Sequence, residues 1–116
     1  MKIERVNSEI RKELMELITL EVKDPRVHDC EMLSIMRAET TGDLKYCKVY
    51  VSVMGSPDPA GVISGLNAAS GYLRNELFAR LKIRAVPELI FVLDDSIEYG
   101  LKIDRILKEL NKDEKK

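Results

Sequence analysis

The sequence contains no tryptophan and few other aromatic residues, 5% of its 116 positions, so aliphatic side chains must fill most of its core. It has only two cysteines, which argues against a scaffold held together by disulfides. Both lie in apolar, strand-like segments, and we expect Cys30 and Cys47 to be buried free thiols of a cytoplasmic protein. No apolar run approaches the roughly 20 residues of a membrane-spanning helix, so we expect no membrane partner.

Neither sign of charge dominates, because 19 basic residues balance 20 acidic ones to a net charge of −1. This balance weighs mildly against an indiscriminate nucleic-acid binder, which is usually basic overall. Basic residues are nevertheless concentrated between residues 71 and 87, where Glu76 is the only acid. The bases of this stretch are Arg74, Arg80, Lys82 and Arg84. A local basic block of this kind is compatible with a surface that binds phosphate.

The spacing of apolar residues predicts an α+β fold. Helical spacing marks the first segment, and alternating patterns around a turn at 41–43 predict a hairpin of two strands. The proline- and glycine-rich stretch 55–61 predicts a loop, and Gly100 makes an early start of the last helix unfavourable. The predicted elements are a helix over 3–22, strands over 30–40 and 44–54, a helix over 62–81, a strand over 88–95 and a short helix from about residue 101.

These elements predict one domain over residues 1–111, followed by a frayed C-terminal tail at 112–116. The natural architecture is one sheet with helices packed on one face. The connection from the second to the third strand through the helix should be right-handed. The sequence leaves the order of the three strands open.

The predicted helix over 62–81 has Ser70 and Gly71 at its centre, although glycine costs about 1 kcal/mol relative to alanine inside a helix. One explanation is packing, in which Gly71 lets the helix pass close to a strand. The other is a kink between two helices, where the first amides of the second helix attract phosphate. Gly71 would then allow close approach and Arg74 would face the same anion. Spacing alone favours the packing explanation.

Five segments follow one another in an order that is specific, although each segment alone is a weak signal. They are "RV" at 5–6, "KDPR" at 23–26, "DLKYCKVYVSV" at 43–53, "ASGYLR" at 69–74 and "LKIRAVPELIFVLDDSIEYG" at 81–100. Together they resemble the ribosome-binding factor A family over nearly the whole sequence. The resemblance implies a single KH-like domain of the second topological class, with a helix-strand-strand-kinked helix pair-strand order. In that family an Ala-x-Gly kink replaces the Gly-x-x-Gly loop of ordinary KH domains.

The resemblance also implies a function, which is late maturation of the small (30S) ribosomal subunit and processing of its 16S rRNA. Members are associated with growth after cold shock, and other assembly factors act on the same particle. We therefore expect a monomeric, non-enzymatic, RNA-binding protein without cofactor or metal. Recognition would depend on phosphates and RNA shape, because base stacking has no obvious source in a sequence so poor in aromatics.

The candidate RNA-binding residues combine the kink with the basic block. They are Ala69, Ser70, Gly71, Arg74, Arg80, Lys82 and Arg84, with Lys45 and Lys48 as an extension on the strand pair. For each of these side chains simple solvation is the alternative, and Arg84 could instead pair with Glu88. Arg26 either contacts RNA or holds Asp24.

Two hypotheses from other classes remain. The first is a protein-interaction domain that docks a partner through the open face or an edge of its sheet. The polar face of the second strand carries Tyr46, Lys48, Tyr50 and Ser52. The second is a small hydrolase with Asp94 and Asp95 as paired carboxylates, but their position at a strand end favours turn or cap chemistry. We interpret His28 as a loop residue, because it lacks the partners of a metal site.

Overall fold

The computed structural model describes residues 3–81, 83 and 85–114, and it confirms the α+β class. A short helix before the hairpin was not predicted. The elements are α1 (Ile3–Leu20), α2 (Pro25–His28), β1 (Met32–Thr40), β2 (Tyr46–Met54), α3 (Pro59–Ala68), α4 (Ser70–Leu81), β3 (Glu88–Leu93) and α5 (Ser96–Glu114). His28 is therefore the last residue of α2 and not a loop residue.

The three strands form one sheet in the order β1-β2-β3. β1 pairs with β2 in antiparallel register, which confirms the hairpin, and β2 pairs with β3 in parallel register. The turn between β1 and β2 is closed by a hydrogen bond of 2.9 Å from the Leu44 amide to the Thr41 carbonyl. β2 is therefore the central strand, and β1 and β3 are the two edges.

One face of the sheet packs against α1, α3 and α4, which confirms the predicted layering. On β2 the residues facing the helices are fully buried, and Cys47 among them has no exposed surface. On α1 the buried residues recur at helical spacing and form one stripe: Val6, Ile10, Leu14, Leu17 and Ile18. Burial of each such side chain contributes about 1.5–3 kcal/mol, so this interface is the main source of stability.

The outer edge of β3 is held by a single side chain of α3. The Asn67 amide donates to the Phe91 carbonyl at 3.0 Å, and its carbonyl oxygen accepts the Phe91 amide at 2.9 Å. Both hydrogen-bonding groups of Phe91 that face away from β2 are thus satisfied. Such covering of an edge strand prevents pairing with another chain.

Several predicted boundaries differ from the observed ones, among them the starts of α3 and β1. The stretch 55–61 is not entirely loop, since α3 begins at Pro59, where Asp58 caps the helix by accepting the Gly61 amide at 3.1 Å. Proline at the first helical position lacks only an amide that would have had no partner, so it starts a helix as readily as it breaks one. Cys30 precedes β1 and is half-buried, so the predicted buried strand position holds for Cys47 alone.

The last helix is also longer than predicted, because α5 begins at Ser96 and includes Gly100. A carboxylate oxygen of Asp94 accepts the Ser96 amide at 2.9 Å and fixes this start. The described apolar side chains of α5 are exposed, and the molecule is 63 Å long. The frayed tail at 112–116 stays a prediction. None of the described helices is long and apolar enough to cross a membrane.

Candidate nucleic-acid interface

The helix pair is interrupted at one residue, Ala69. Its φ of −89° and ψ of 0° depart from the helical values near −63° and −42°. Its amide donates to both the Gly65 and Leu66 carbonyls at 3.1 Å, and its own carbonyl accepts the Leu73 amide at 3.0 Å. α3 then contacts α2, while α4 contacts α1. The predicted interruption is confirmed, and α4 begins at Ser70, next to Gly71.

Gly71 lies on an open surface. A Cβ atom built at this position would have no neighbour within 4 Å, so no packed strand requires a glycine there. The packing explanation, which spacing alone favoured, is therefore wrong for Gly71. It applies instead to Gly65, where a Cβ atom would lie 3.0 Å from Val27 Cγ2 and 3.3 Å from Arg26 Cβ.

The partner of Gly65 is the short helix α2, whose geometry is set by Asp24. A side-chain oxygen of Asp24 accepts the Arg26 amide at 2.9 Å and caps the helix. The Arg26 guanidinium donates a hydrogen bond of 2.8 Å to the same carboxylate. The hydrogen bonds from Arg26 lower the pKa of Asp24. Of the two roles considered for Arg26, the structure shows that it holds Asp24.

One face of α4 is directed away from the protein core. Gly71, Arg74, Asn75 and Phe78 stand at positions i, i+3, i+4 and i+7, which place them on the same side of a helix. Arg74 is oriented by a hydrogen bond of 2.9 Å from its Nε to the Val86 carbonyl. That bond uses one of the five guanidinium donors and leaves the terminal nitrogens for a ligand.

This face borders a cleft of about 270 Å³, which we call the α4 cleft. It is lined by Arg74, Asn75, Phe78, Ala85 and Val86. The residue that sequence reasoning missed is Phe78, whose side chain is 54% exposed. Its spacing from Gly71 along the helix could have revealed it.

Arg80 lies on a different side of α4. Its Nη1 is 3.1 Å from a carboxylate oxygen of Glu13 and 3.5 Å from one of Glu16, both on α1. The hydrogen bond to Glu13 raises the pKa of Arg80 above its ordinary value. Two carboxylates already pair with this guanidinium, and a role of Arg80 as a phosphate ligand stays a prediction.

The remaining predicted residues divide into three groups. Ala69 and Ser70 are half-buried at the kink, beside Gly71 and Arg74. Lys45 lies in the exposed hairpin turn and Lys48 on the sheet face opposite the helices, and their part in RNA binding stays a prediction. Lys82 and Arg84 lie outside the described residues, as does the suggested pairing of Arg84 with Glu88.

The sheet face opposite the helices is less polar than predicted. On it the Arg37 guanidinium carbon lies 4.0 Å from the centroid of the Tyr50 ring, and the Tyr50 hydroxyl donates to Glu39 at 3.1 Å. Exposed apolar side chains flank this cluster, with Met32 59% and Ile90 42% exposed. We call this surface, from Met32 through Arg37 and Tyr50 to Ile90, the open sheet face.

Neither catalytic nor metal chemistry is suggested by the part of the chain that the structure describes. Asp94 accepts the Ser96 amide, and hydrogen bonds to Ser96 lower the pKa of Asp94, as expected of a helix cap. Over residues 3–81, 83 and 85–114 no three histidine, cysteine or acidic side chains are grouped as metal ligands. Burial raises the pKa of Cys47, which is the opposite of what a nucleophilic thiol requires.

Comparison with known proteins gives a consistent result. A family model described as ribosome-binding factor A matches residues 2–107. Ribosome-binding factor A of Caldanaerobacter subterraneus subsp. tengcongensis is 50% identical over 111 residues, which cover 95% of this chain and 89% of that protein.

A crystal structure and a homology model fitted into a cryo-EM map share the fold. The crystal structure of ribosome-binding factor A from Thermus thermophilus matches with a TM-score of 0.70 at 23% identity, over 79% of this chain and 94% of that one. A homology model of the Thermus thermophilus factor, fitted into the cryo-EM map of a 30S complex, matches with a TM-score of 0.62 at 24% identity, over 77% and 91%. The fold is therefore the KH-like one that the family resemblance implied.

Proposed function

Because this chain belongs to the ribosome-binding factor A family, we propose that it binds the immature small ribosomal subunit and promotes its late maturation. The contact is made with 16S rRNA, and the protein supports rRNA processing without catalysing a reaction itself. It acts in the cytoplasm as a monomer, together with other assembly factors, and matters most for growth after cold shock. The 30S complex of the related Thermus factor supports the choice of particle.

The observation that carries the proposal is the open surface at Gly71, directly after the kink. A strand of RNA can reach the α4 backbone there, because Gly71 has no side chain and a Cβ atom at that position would have no packed neighbour within 4 Å. Arg74 lies one turn further on the same face, with its guanidinium anchored by Val86. A phosphate between them would meet both the positive end of the helix and a fixed cation.

Affinity in this arrangement comes mainly from phosphates. Neutralising them releases counterions, so the binding constant should fall steeply as salt rises. Arg74 is on the same face of α4 as Gly71, and the basic residues Lys82 and Arg84 follow it in the sequence. Folded rRNA would then be recognised by the arrangement of its backbone rather than by a long sequence.

The test compares two charge reversals on opposite sides of the molecule. Purified small subunits and protein-free 16S rRNA are titrated with wild-type protein, with Arg74→Glu and with Arg37→Glu over a salt series. Arg74→Glu should lower the affinity roughly tenfold or more, because it replaces a charge-assisted hydrogen bond by repulsion. Arg37→Glu makes the same charge change on the open sheet face and should leave RNA binding unchanged. Equal effects of the two variants would contradict the proposal.

A second candidate is a protein-interaction domain that docks a partner on the open sheet face. It is favoured by the exposure of Met32 and Ile90, two apolar side chains on that face. The same experiment separates the two candidates. A protein-only binder would ignore protein-free RNA, and it would lose affinity for the subunit through Arg37→Glu rather than through Arg74→Glu.

A further inference from the structure

The two phenylalanines of this chain have opposite environments. Phe91 on β3 is 2% exposed and lies in the core, whereas Phe78 on α4 is 54% exposed. A buried phenylalanine contributes about 1.5–3 kcal/mol, and Phe78 forgoes much of that gain. Its ring is instead available at the surface, next to the kink.

The surroundings of Phe78 are those of a small, mixed pocket. The ring borders the α4 cleft, whose volume of about 270 Å³ is below the range of roughly 300 to 1,000 Å³ typical of sites for drug-sized ligands. The side chain of Asn75 lies one turn before the ring and offers an acceptor and two donors. Across the cleft, Ala85 and Val86 form the opposite wall.

We propose that the α4 cleft holds one unpaired RNA base, stacked on the ring of Phe78. This inference rests on the proposed function and adds a base-binding site to its phosphate contacts. Aromatic side chains stack on any base, because every base has a π face. An asparagine amide can pair with a base edge, adenine being the base that it matches in two hydrogen bonds.

The positions of Arg74 and Gly71 favour a nucleotide over an apolar peptide side chain as the occupant of the α4 cleft. Arg74 lines the same cleft, with its terminal nitrogens left over after the bond to Val86. A base on Phe78 would therefore have its own phosphate within reach of a cation. The open position at Gly71 allows the sugar-phosphate strand to continue toward the kink.

The absence of tryptophan from the sequence makes a direct test possible. Phe78→Trp introduces a single indole that keeps the stacking surface, and its fluorescence should be quenched by a single-stranded RNA 12-mer. Tyr72→Trp is the matched control, because Tyr72 is 46% exposed on α4 but lies on another side of the helix. A blunt RNA duplex of the same length and heparin are the probes that supply phosphate or other anions without an unpaired base.

Affinity for the 12-mer and for small subunits is measured in parallel with Phe78→Ala and Arg74→Glu. Stacking is worth enough that Phe78→Ala should weaken single-strand binding roughly 5- to 100-fold, without changing the slope of affinity against salt. Thermal unfolding monitored by circular dichroism checks that both variants fold; the exposure of both side chains makes folding the expected result.

The outcomes separate the two proposals. Quenching of Phe78→Trp by the single strand alone, with Tyr72→Trp unaffected, supports the base site. If Arg74→Glu weakens RNA binding but Phe78→Ala does not, or if the duplex and heparin quench equally, the base site is wrong and the RNA-binding function stands. If wild-type protein binds neither the 12-mer nor rRNA, both proposals fail. A response of Phe78→Trp to ribosomal protein but not to RNA would identify a protein-binding site instead.

Discussion

Gly65 and Gly71 lie on either side of the Ala69 kink and show how one residue type can serve two different needs. A Cβ atom at Gly65 would press on Val27 and Arg26 of α2, whereas one at Gly71 would meet nothing. α3 thus packs closely against α2 at Gly65, whereas no packed side chain covers the first turn of α4 at Gly71. The kink thus separates a helix whose glycine is required by close packing from a helix whose glycine is not.

The largest effect is expected on the packed side. Gly65→Val should lower the free energy of unfolding by about 2–3 kcal/mol, because the added atoms overlap the buried Val27 side chain. Urea unfolding at equilibrium measures this loss. RNA affinity per folded molecule should stay unchanged. A variant as stable as wild type would show that α2 shifts to accommodate the added side chain at little cost in free energy.

The next effect tests how α3 holds the sheet. Asn67→Ala removes both hydrogen bonds to Phe91 and should cost about 1–2 kcal/mol, since two backbone groups of the edge strand lose their partners. Hydrogen exchange at the Phe91 amide should accelerate more than at Val49 on the central strand. Unchanged protection at Phe91 would mean that Asn67 does not control this edge.

At Gly71 the free energy of unfolding and the affinity for RNA should change in opposite directions. Gly71→Ala should raise the free energy of unfolding by about 0.5 kcal/mol, because φ at this glycine is not positive and the added methyl has room. The same methyl should weaken RNA binding by narrowing the approach to the backbone.

Gly100→Ala is the control for Gly71→Ala. It also adds a methyl group to open space in a helix, so it should give a similar gain in stability. It should leave RNA affinity unaltered. If Gly71→Ala binds RNA as well as Gly100→Ala does, the clear surface at the kink is incidental.

The smallest effect is expected at Arg80. Arg80→Gln removes the pairing with Glu13 and Glu16 and should lower the free energy of unfolding only slightly, because ion pairs near the surface contribute little to stability. RNA affinity should change much less than with Arg74→Glu. A comparable loss of affinity in the two variants would place Arg80 on the RNA-binding surface.

Local patterns predicted most of this fold. The stripe on α1 and the alternation on β2 each follow from spacing within one segment, whereas the interruption near Gly71 was predicted from the family resemblance and not from spacing. The start of α3 was missed because the prolines of 55–61 were interpreted only as residues that interrupt a helix. Asp58 followed by Pro59 is also a typical helix start. Gly100 was likewise weighed by its propensity alone, while the cap from Asp94 and the rest of α5 outweigh that cost.

The candidate site was less predictable because it depends on distant partners. The pairing of Arg80 with Glu13 joins residues far apart in the chain, and no local signal distinguishes it from a solvated arginine. Phe78 was hidden for the opposite reason, since an apolar residue on a helix is usually buried. Exposure of that ring follows from which side of α4 the sheet covers, and this is a property of the assembled fold.

The projecting helix α5 has a consequence for how the protein behaves in solution. The radius of gyration over Cα atoms is 17.2 Å, whereas a spherical domain of this length would have about 13 Å. A single copy will therefore leave a size-exclusion column earlier than globular standards of equal mass, and its apparent weight will approach that of a pair. Light scattering or sedimentation equilibrium, which report mass independently of shape, gives the true copy number and so tests the proposed monomer.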